Sequence, residues 1–245
     1  MVLTQSIPVL DLRDFHASGD RRTNFIIQLG QALEKTGFFA ITHHGVDSAL
    51  IQQAYQVAEQ FFELPEAIKQ QYEVPELHGQ RGFTSFGQEH AKDHPYPDLK
   101  EFWHVGRDLL AGHPLTEHYA ANLQVAEVPQ FHPVMTQLYA QLEVCAAELL
   151  KACALYLGEP ETLLSDMIQE SDTILRIIHY PPIPPDAHPA SLRSAPHEDI
   201  NVHPRQEIDL TPLPGCIAKV GRQQFPAITA GEYLMQRLRE IGLAE

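Results

Sequence analysis

The chain has 245 residues, 44% of them hydrophobic and 20% charged, an ordinary globular balance that rules out disorder as the main state. Thirty-two acidic against 17 basic residues give a formal charge of −15, which repels phosphate backbones and anionic lipid and argues against nucleic-acid or membrane partners. No apolar run approaches the roughly 18 residues that cross a bilayer, and the first residues carry no basic patch ahead of an apolar core, so a soluble, cytoplasmic protein is expected.

In chain order, Phe25, Ile26, Leu29, Ala32 and Leu33 recur at helical spacing before Gly37 and predict a helix over 22–36. Phe38 to Thr42 reads as a short buried strand entering His43-His44-Gly45, a segment that shapes a turn. Asp47 then caps a second helix carrying Ile51, Ala54, Tyr55, Ala58, Phe61 and Phe62, which Pro65 ends or follows with a new one. Gly79, Gly82 and Gly87 surround Arg81, Phe83 and Phe86 without a clean period and predict a loop, and Glu101–Val105 a strand. A long helix opens near Pro133 with Met135, Leu138, Leu142, Cys145, Leu149 and Tyr156 as a core stripe. Ten of the 19 prolines fall in the last 65 residues, where each removes a backbone donor and discourages helix interior. There, Ile174–Tyr180 is rich in β-branched residues and reads as a strand buried on much of both faces, and a second short strand is expected around His197–Val202. Thr229-Ala230-Gly231-Glu232 has the capping-box pattern and opens a closing helix with Leu234, Leu238 and Ile241, stopped by Gly242.

The three cysteines, Cys145, Cys153 and Cys216, have no C-x-x-C spacing and support neither a disulfide framework nor a thiolate zinc site, which fits a reducing cytosol. Phosphate-loop, dinucleotide, metalloprotease and nucleophile-elbow motifs are absent from the sequence. Histidine is the abundant chemistry, with 14 residues, and His197-Glu198-Asp199 stands out. In extended backbone, residues two apart share a face, so the His197 imidazole and the Asp199 carboxylate can converge on one divalent ion while Glu198 points away. The spacing alone is weak, since chance supplies about 0.7 such matches in a chain of this composition. An imidazole and a carboxylate are two thirds of the facial triad that leaves iron open to further ligands.

Four blocks occur in order: Ile7-Pro8-Val9-Leu10-Asp11-Leu12; Thr36-Gly37-Phe38-Phe39 leading to His43-His44-Gly45-Val46; Leu175-Arg176-Ile177-Ile178-His179-Tyr180-Pro181; and Arg193-Ser194-Ala195-Pro196-His197-Glu198-Asp199-Ile200-Asn201. Together they resemble the isopenicillin N synthase-like branch of the Fe(II)/2-oxoglutarate-dependent oxygenases. The resemblance implies an α+β fold in one oxygenase-like domain over 1–245. It divides into a mainly helical part (1–170), a double-stranded β-helix or jelly-roll core flanked by helices (172–228), and a C-terminal helix (229–242). It also implies Fe(II) and 2-oxoglutarate as cofactors, dioxygen and a small organic molecule as substrates, His197 and Asp199 as metal ligands, and Tyr180 as a cosubstrate contact. Arg81, Phe83, Phe86 and Trp103 lie where relatives line the substrate approach, although such residues more often form core.

The chain departs from the pattern after Asn201. The family places a second histidine some fifty residues beyond the aspartate, followed by an Arg-x-Ser pair for the far carboxylate of 2-oxoglutarate. Here 46 residues follow Asp199, the last histidine is His203, and no serine follows Ser194. An internal deletion near residue 202 is inferred, with an incomplete barrel whose open strand edges favour self-association. His203 is the only later histidine able to join His197 and Asp199 on a metal, by a sharp turn of the chain. Arg205, Arg222, Arg237 and Arg239 are equivalent by type as replacements for the missing arginine. Two functions follow: an oxygenase, or a catalytically inactive truncated relative serving as a binding or association module.

Overall fold

Short extended segments and amphipathic helices alternate through the computed structural model, which describes residues 6–92, 94–195 and 203–244. Strand β1 (Val9–Asp11) runs straight into the one-turn helix α1 (Leu12–Phe15), because the Asp11 side chain accepts the Arg13 backbone N–H and caps it. Helix α2 (Asp20–Thr36) ends where Gly37 takes φ 73°, a left-handed cap. Next come β2 (Ala40–Thr42), α3 (Ser48–Phe62), and α4 (Glu66–Lys69), which opens behind Pro65. Strands β3 (Gly82–Thr84) and β4 (Glu101–Val105) precede the 26-residue α5 (Phe131–Tyr156). The chain continues through α6 (Leu163–Ile168), β5 (Leu175–His179), α7 (Pro214–Val220) and α8 (Ala230–Glu240).

Two compact units result. The first comprises 1–47, 140–169 and 211–226. In it β1 and β2 pair in parallel, Val9 opposite Ala40, and Leu10, Leu12, Phe15, Phe25, Leu29 and Ala152 form the core. The second comprises 48–139, 170–210 and 227–245. Its sheet is antiparallel in the order β3-β4-β5, with Trp103 opposite Phe83 on one side and Ile177 on the other. Trp103 meets the rings of Phe61 and Phe131 edge-on at 4.8 and 5.0 Å, and Phe83 closes on Phe61 at 5.7 Å. Such edge-to-face contacts add about 0.5–1.5 kcal/mol each beyond the apolar area they bury.

Helices and strands are both present, in keeping with the α+β expectation, and α2, α3, α5 and α8 lie where the apolar spacing puts them. The Thr229 capping box forms in full, with Glu232 N–H donating to Thr229 Oγ1 and Thr229 N–H donating to the Glu232 carboxylate. Several details differ. The predicted loop around Gly82 contains β3, whose partner β4 supplies the ladder that a local pattern cannot reveal. Strand β2 is not buried, because its single partner is the equally short β1. The α5 stripe serves two cores, Met135 and Leu138 in one, Cys145 and Leu149 in the other, and Leu142 is 39% exposed. Helices α6 and α7 lack a long enough apolar period to be legible. Strand β5 is only partly buried: Leu175 and Ile177 pack against the core, and Ile178 on the other face is 41% exposed.

Candidate functional site

The pleat of the β3-β4-β5 sheet gives it two different faces. Residues two apart share a side, so Trp103, Val105, Leu175 and Ile177 face the aromatic core. Lys100, His104, Ile174, Arg176, Ile178 and Tyr180 occupy the alternate positions and line a cavity of about 520 Å³. This is why β5 is half-buried: its second face looks onto open space rather than protein.

Charges dominate the cavity wall on the sheet side. Arg176 grips Glu89 with two parallel N–H···O bonds, both 3.0 Å, and its Nε donates to His104 Nε2 at 2.7 Å. Lys100 Nζ lies 2.8 Å from Glu89 and donates to Asp98 Oδ2 at 2.9 Å, while Asp98 Oδ1 accepts the Ala195 backbone N–H at 3.0 Å. Burial alone would pull the Lys100 ammonium down, but the two carboxylates reverse the effect and hold its pKa above the ordinary lysine value. His104 is buried and neutral: desolvation, reinforced by the Arg176 cation, drives its pKa well below the usual histidine value. Because Nε2 accepts from Arg176, the ring proton sits on Nδ1, which donates to the Gly79 carbonyl.

A second buried pair braces the sheet near the cavity. The Arg81 guanidinium, 0% exposed, binds Asp172 and the carbonyls of Gln80 and Ala120. A Cβ added at Gly106 would lie 2.0 Å from the guanidinium carbon, so only glycine admits Arg81 there. Opposite the sheet, α8 presents Leu234, Arg237 and Leu238 to the same cavity, joined by Ile241 just past its end. Its far end is fixed by Gly242, whose φ of 82° and missing Cβ let the His90 ring approach, and by the Leu243 carbonyl, 3.1 Å from His78 Nδ1.

Of the residues singled out in the sequence, Tyr180 and His203 reach this one cavity together. His203 also lines a neighbouring cavity of about 180 Å³ with Asp172, Tyr233 and Leu234. Its Nδ1 is buried without a hydrogen-bond partner, and desolvation lowers its pKa, which keeps the ring neutral. His197, Asp199 and Asn201 lie outside the described residues. Among the described residues no group of three or more metal-ligating side chains comes together. Arg81, Phe83 and Trp103 are core rather than substrate contacts, the more common fate of such residues. Arg176 pairs with an internal carboxylate, and His44 shapes its turn by accepting the Val46 N–H at 3.1 Å. Glu89, Asp98, Lys100 and His104 were missed by sequence reasoning. The available signal was Asp98-Leu99-Lys100-Glu101-Phe102-Trp103-His104, too charged for a strand so rich in aromatics unless its charges pair indoors.

A family model described as the N-terminal part of a non-haem dioxygenase in morphine synthesis matches residues 7–128. A 2-oxoglutarate-Fe(II) type oxidoreductase of Aspergillus fumigatus is 26% identical over 258 residues, covering 95% of this chain and 77% of the relative. The 2-oxoglutarate-dependent dioxygenase htyE of Aspergillus rugulosus is 29% identical over 202 residues, 79% of this chain, and the match spans 61% of that enzyme's length. Among solved structures, a 2OG-Fe(II) oxygenase family protein from Caulobacter crescentus superposes with a TM-score of 0.78 at 28% identity, covering 97% of this chain and 99% of the other. A Neurospora crassa protein crystallised with alpha-KG gives 0.76 at 17% identity, covering 95% of each chain, a likeness of fold. These matches support the Fe(II)/2-oxoglutarate-dependent oxygenase family as the one this chain is similar to. Among the described residues no helix is long and apolar enough to cross a membrane.

Proposed function

We propose that the protein is a non-haem oxygenase that uses Fe(II), 2-oxoglutarate and dioxygen to oxidise a small organic substrate, on a jelly-roll scaffold whose barrel is incomplete. The observation that carries this reading is the cavity lined by both Tyr180 and His203, whose imidazole Nδ1 is buried without a hydrogen-bond partner. A buried imidazole nitrogen without a proton partner is suited to a metal, which needs a neutral ring with a free lone pair. Ser194 and His203, which flank the segment carrying His197 and Asp199, both line that cavity. The donor set of two imidazoles and one carboxylate fits a ferrous ion. His197, Asp199 and His203 would hold it, and Tyr180 would contact the cosubstrate. When bound, the iron supplies the oxidation, with 2-oxoglutarate decarboxylated to succinate as dioxygen is reduced. The chain's own residues hold the surroundings: the Glu89–Arg176 pair fixes the cavity wall, and Ile174, Ile178, Leu234 and Leu238 limit water.

Anaerobic addition of Fe(II) and 2-oxoglutarate is expected to give a visible chelate absorption band, and admitting oxygen with substrate to release succinate. His197→Ala should abolish the band, and His203→Ala should do so as completely. No band and no succinate from the unaltered protein would overturn the reading. Unchanged metal affinity in His203→Ala would remove that residue from the ligand set. The other reading, a catalytically inactive relative acting as an association module, is not favoured by relatives that carry dioxygenase and oxidoreductase names.

A further inference from the structure

Among the described residues the charges around the cavity do not balance evenly. Its described lining holds four cations, Lys92, Lys100, Arg176 and Arg237, against two carboxylates, Glu89 and Asp98, in a chain whose overall charge is −15. On the sheet side the count closes: Lys100 and Arg176 face Glu89 and Asp98, and His104 is neutral. All three Arg176 nitrogens are already bonded. On the α8 side, Lys92 and Arg237 share a single carboxylate, Glu240, at 3.3 and 2.6 Å. Glu240 also accepts from Gln236 at 2.9 Å, so its charge is divided among three donors. Among the described residues one positive charge is therefore left over at this end of the cavity, and of the two cations Arg237 is the more buried, at 16% side-chain exposure against 44% for Lys92. A guanidinium carries five N–H donors in a planar fork, of which Glu240 takes one from Nη1.

The sequence offers Arg205, Arg222, Arg237 and Arg239 as equals. The structure separates them: only Arg237 lines the cavity, whereas Arg205 pairs with Glu207, and Arg222 and Arg239 are exposed.

We propose that Arg237 binds the carboxylate of 2-oxoglutarate that lies farther from the keto group, taking the part for which the chain has no Arg-x-Ser pair. This rests on the function proposed above, but concerns a different end of the cosubstrate. The test is direct binding by calorimetry in the presence of Mn(II), comparing 2-oxoglutarate with 2-oxobutyrate, which has the same keto acid and no second carboxylate. The unaltered protein should prefer 2-oxoglutarate. Arg237→Gln should weaken 2-oxoglutarate binding about ten-fold or more, the scale of a lost charge-assisted contact, and leave 2-oxobutyrate unchanged. Arg237→Lys should retain part of the preference, and Arg205→Gln all of it. Glu240→Gln removes the competing carboxylate and should tighten 2-oxoglutarate binding, a gain that misfolding cannot mimic. If 2-oxoglutarate binds the unaltered protein and Arg237→Gln equally, or if Glu240→Gln brings no gain, the assignment to Arg237 fails while the oxygenase reading stands. If the unaltered protein binds neither keto acid, both fail.

Discussion

Lys100 shows what a single buried charge does in this molecule. Its ammonium lies between Glu89 and Asp98, and all three side chains are nearly solvent-free. Replacing it by Met leaves two carboxylates close together without their shared cation, and breaking such a buried pair costs about 3–5 kcal/mol. Urea unfolding of Lys100→Met is expected to show a loss of that size, and a change under about 1 kcal/mol would mean water already screens the site. His104 makes a pH-dependent contribution. Its pKa in the folded protein is depressed below the ordinary 6.5, so the unfolded chain binds the extra proton first. The stability it confers is fully present above about pH 6.5 and is lost progressively as pH falls below that value. Between about pH 7.5 and 5.5, His104→Gln should therefore lose less stability than the unaltered protein, and parallel losses would contradict the assignment.

At the scale of elements, β4 joins the two kinds of surface. Trp103 is the central ring of the core, and Trp103→Ala should cost about 3–5 kcal/mol in unfolding free energy without changing the charged wall behind it. Those elements written in local chemistry were legible from the sequence. The Thr229–Glu232 capping box, the Gly37 cap and the apolar spacing of α3 each depend on residues within a few positions of one another. What was illegible depends on partners far along the chain. β3 exists because β4 pairs with it, and the partial burial of β5 depends on Leu234, Arg237 and Leu238 standing some sixty residues away across a cavity.

For the whole molecule, order and spacing of motifs proved more informative than composition. Four separated blocks carried the family, which the comparisons bear out, while the charge of −15 gave no hint that part of the interior is cationic. Of the residues named for the site, Tyr180 and His203 could be tied to one cavity, and the grouping of Glu89, Lys100 and Arg176 required the folded chain. The same holds for Arg237, indistinguishable by type from its three neighbours until α8 turned it inward.

The pleat of β5 separates two kinds of constraint within five residues. Leu175 and Ile177 answer to packing and Arg176 to Glu89 and His104, whereas Ile178 answers to whatever occupies the space beyond it. Variation at Ile178, 41% exposed, can retune chemical preference without disturbing how the domain holds together, so one position on a short ribbon of backbone lets heritable change in specificity proceed apart from change in foldability.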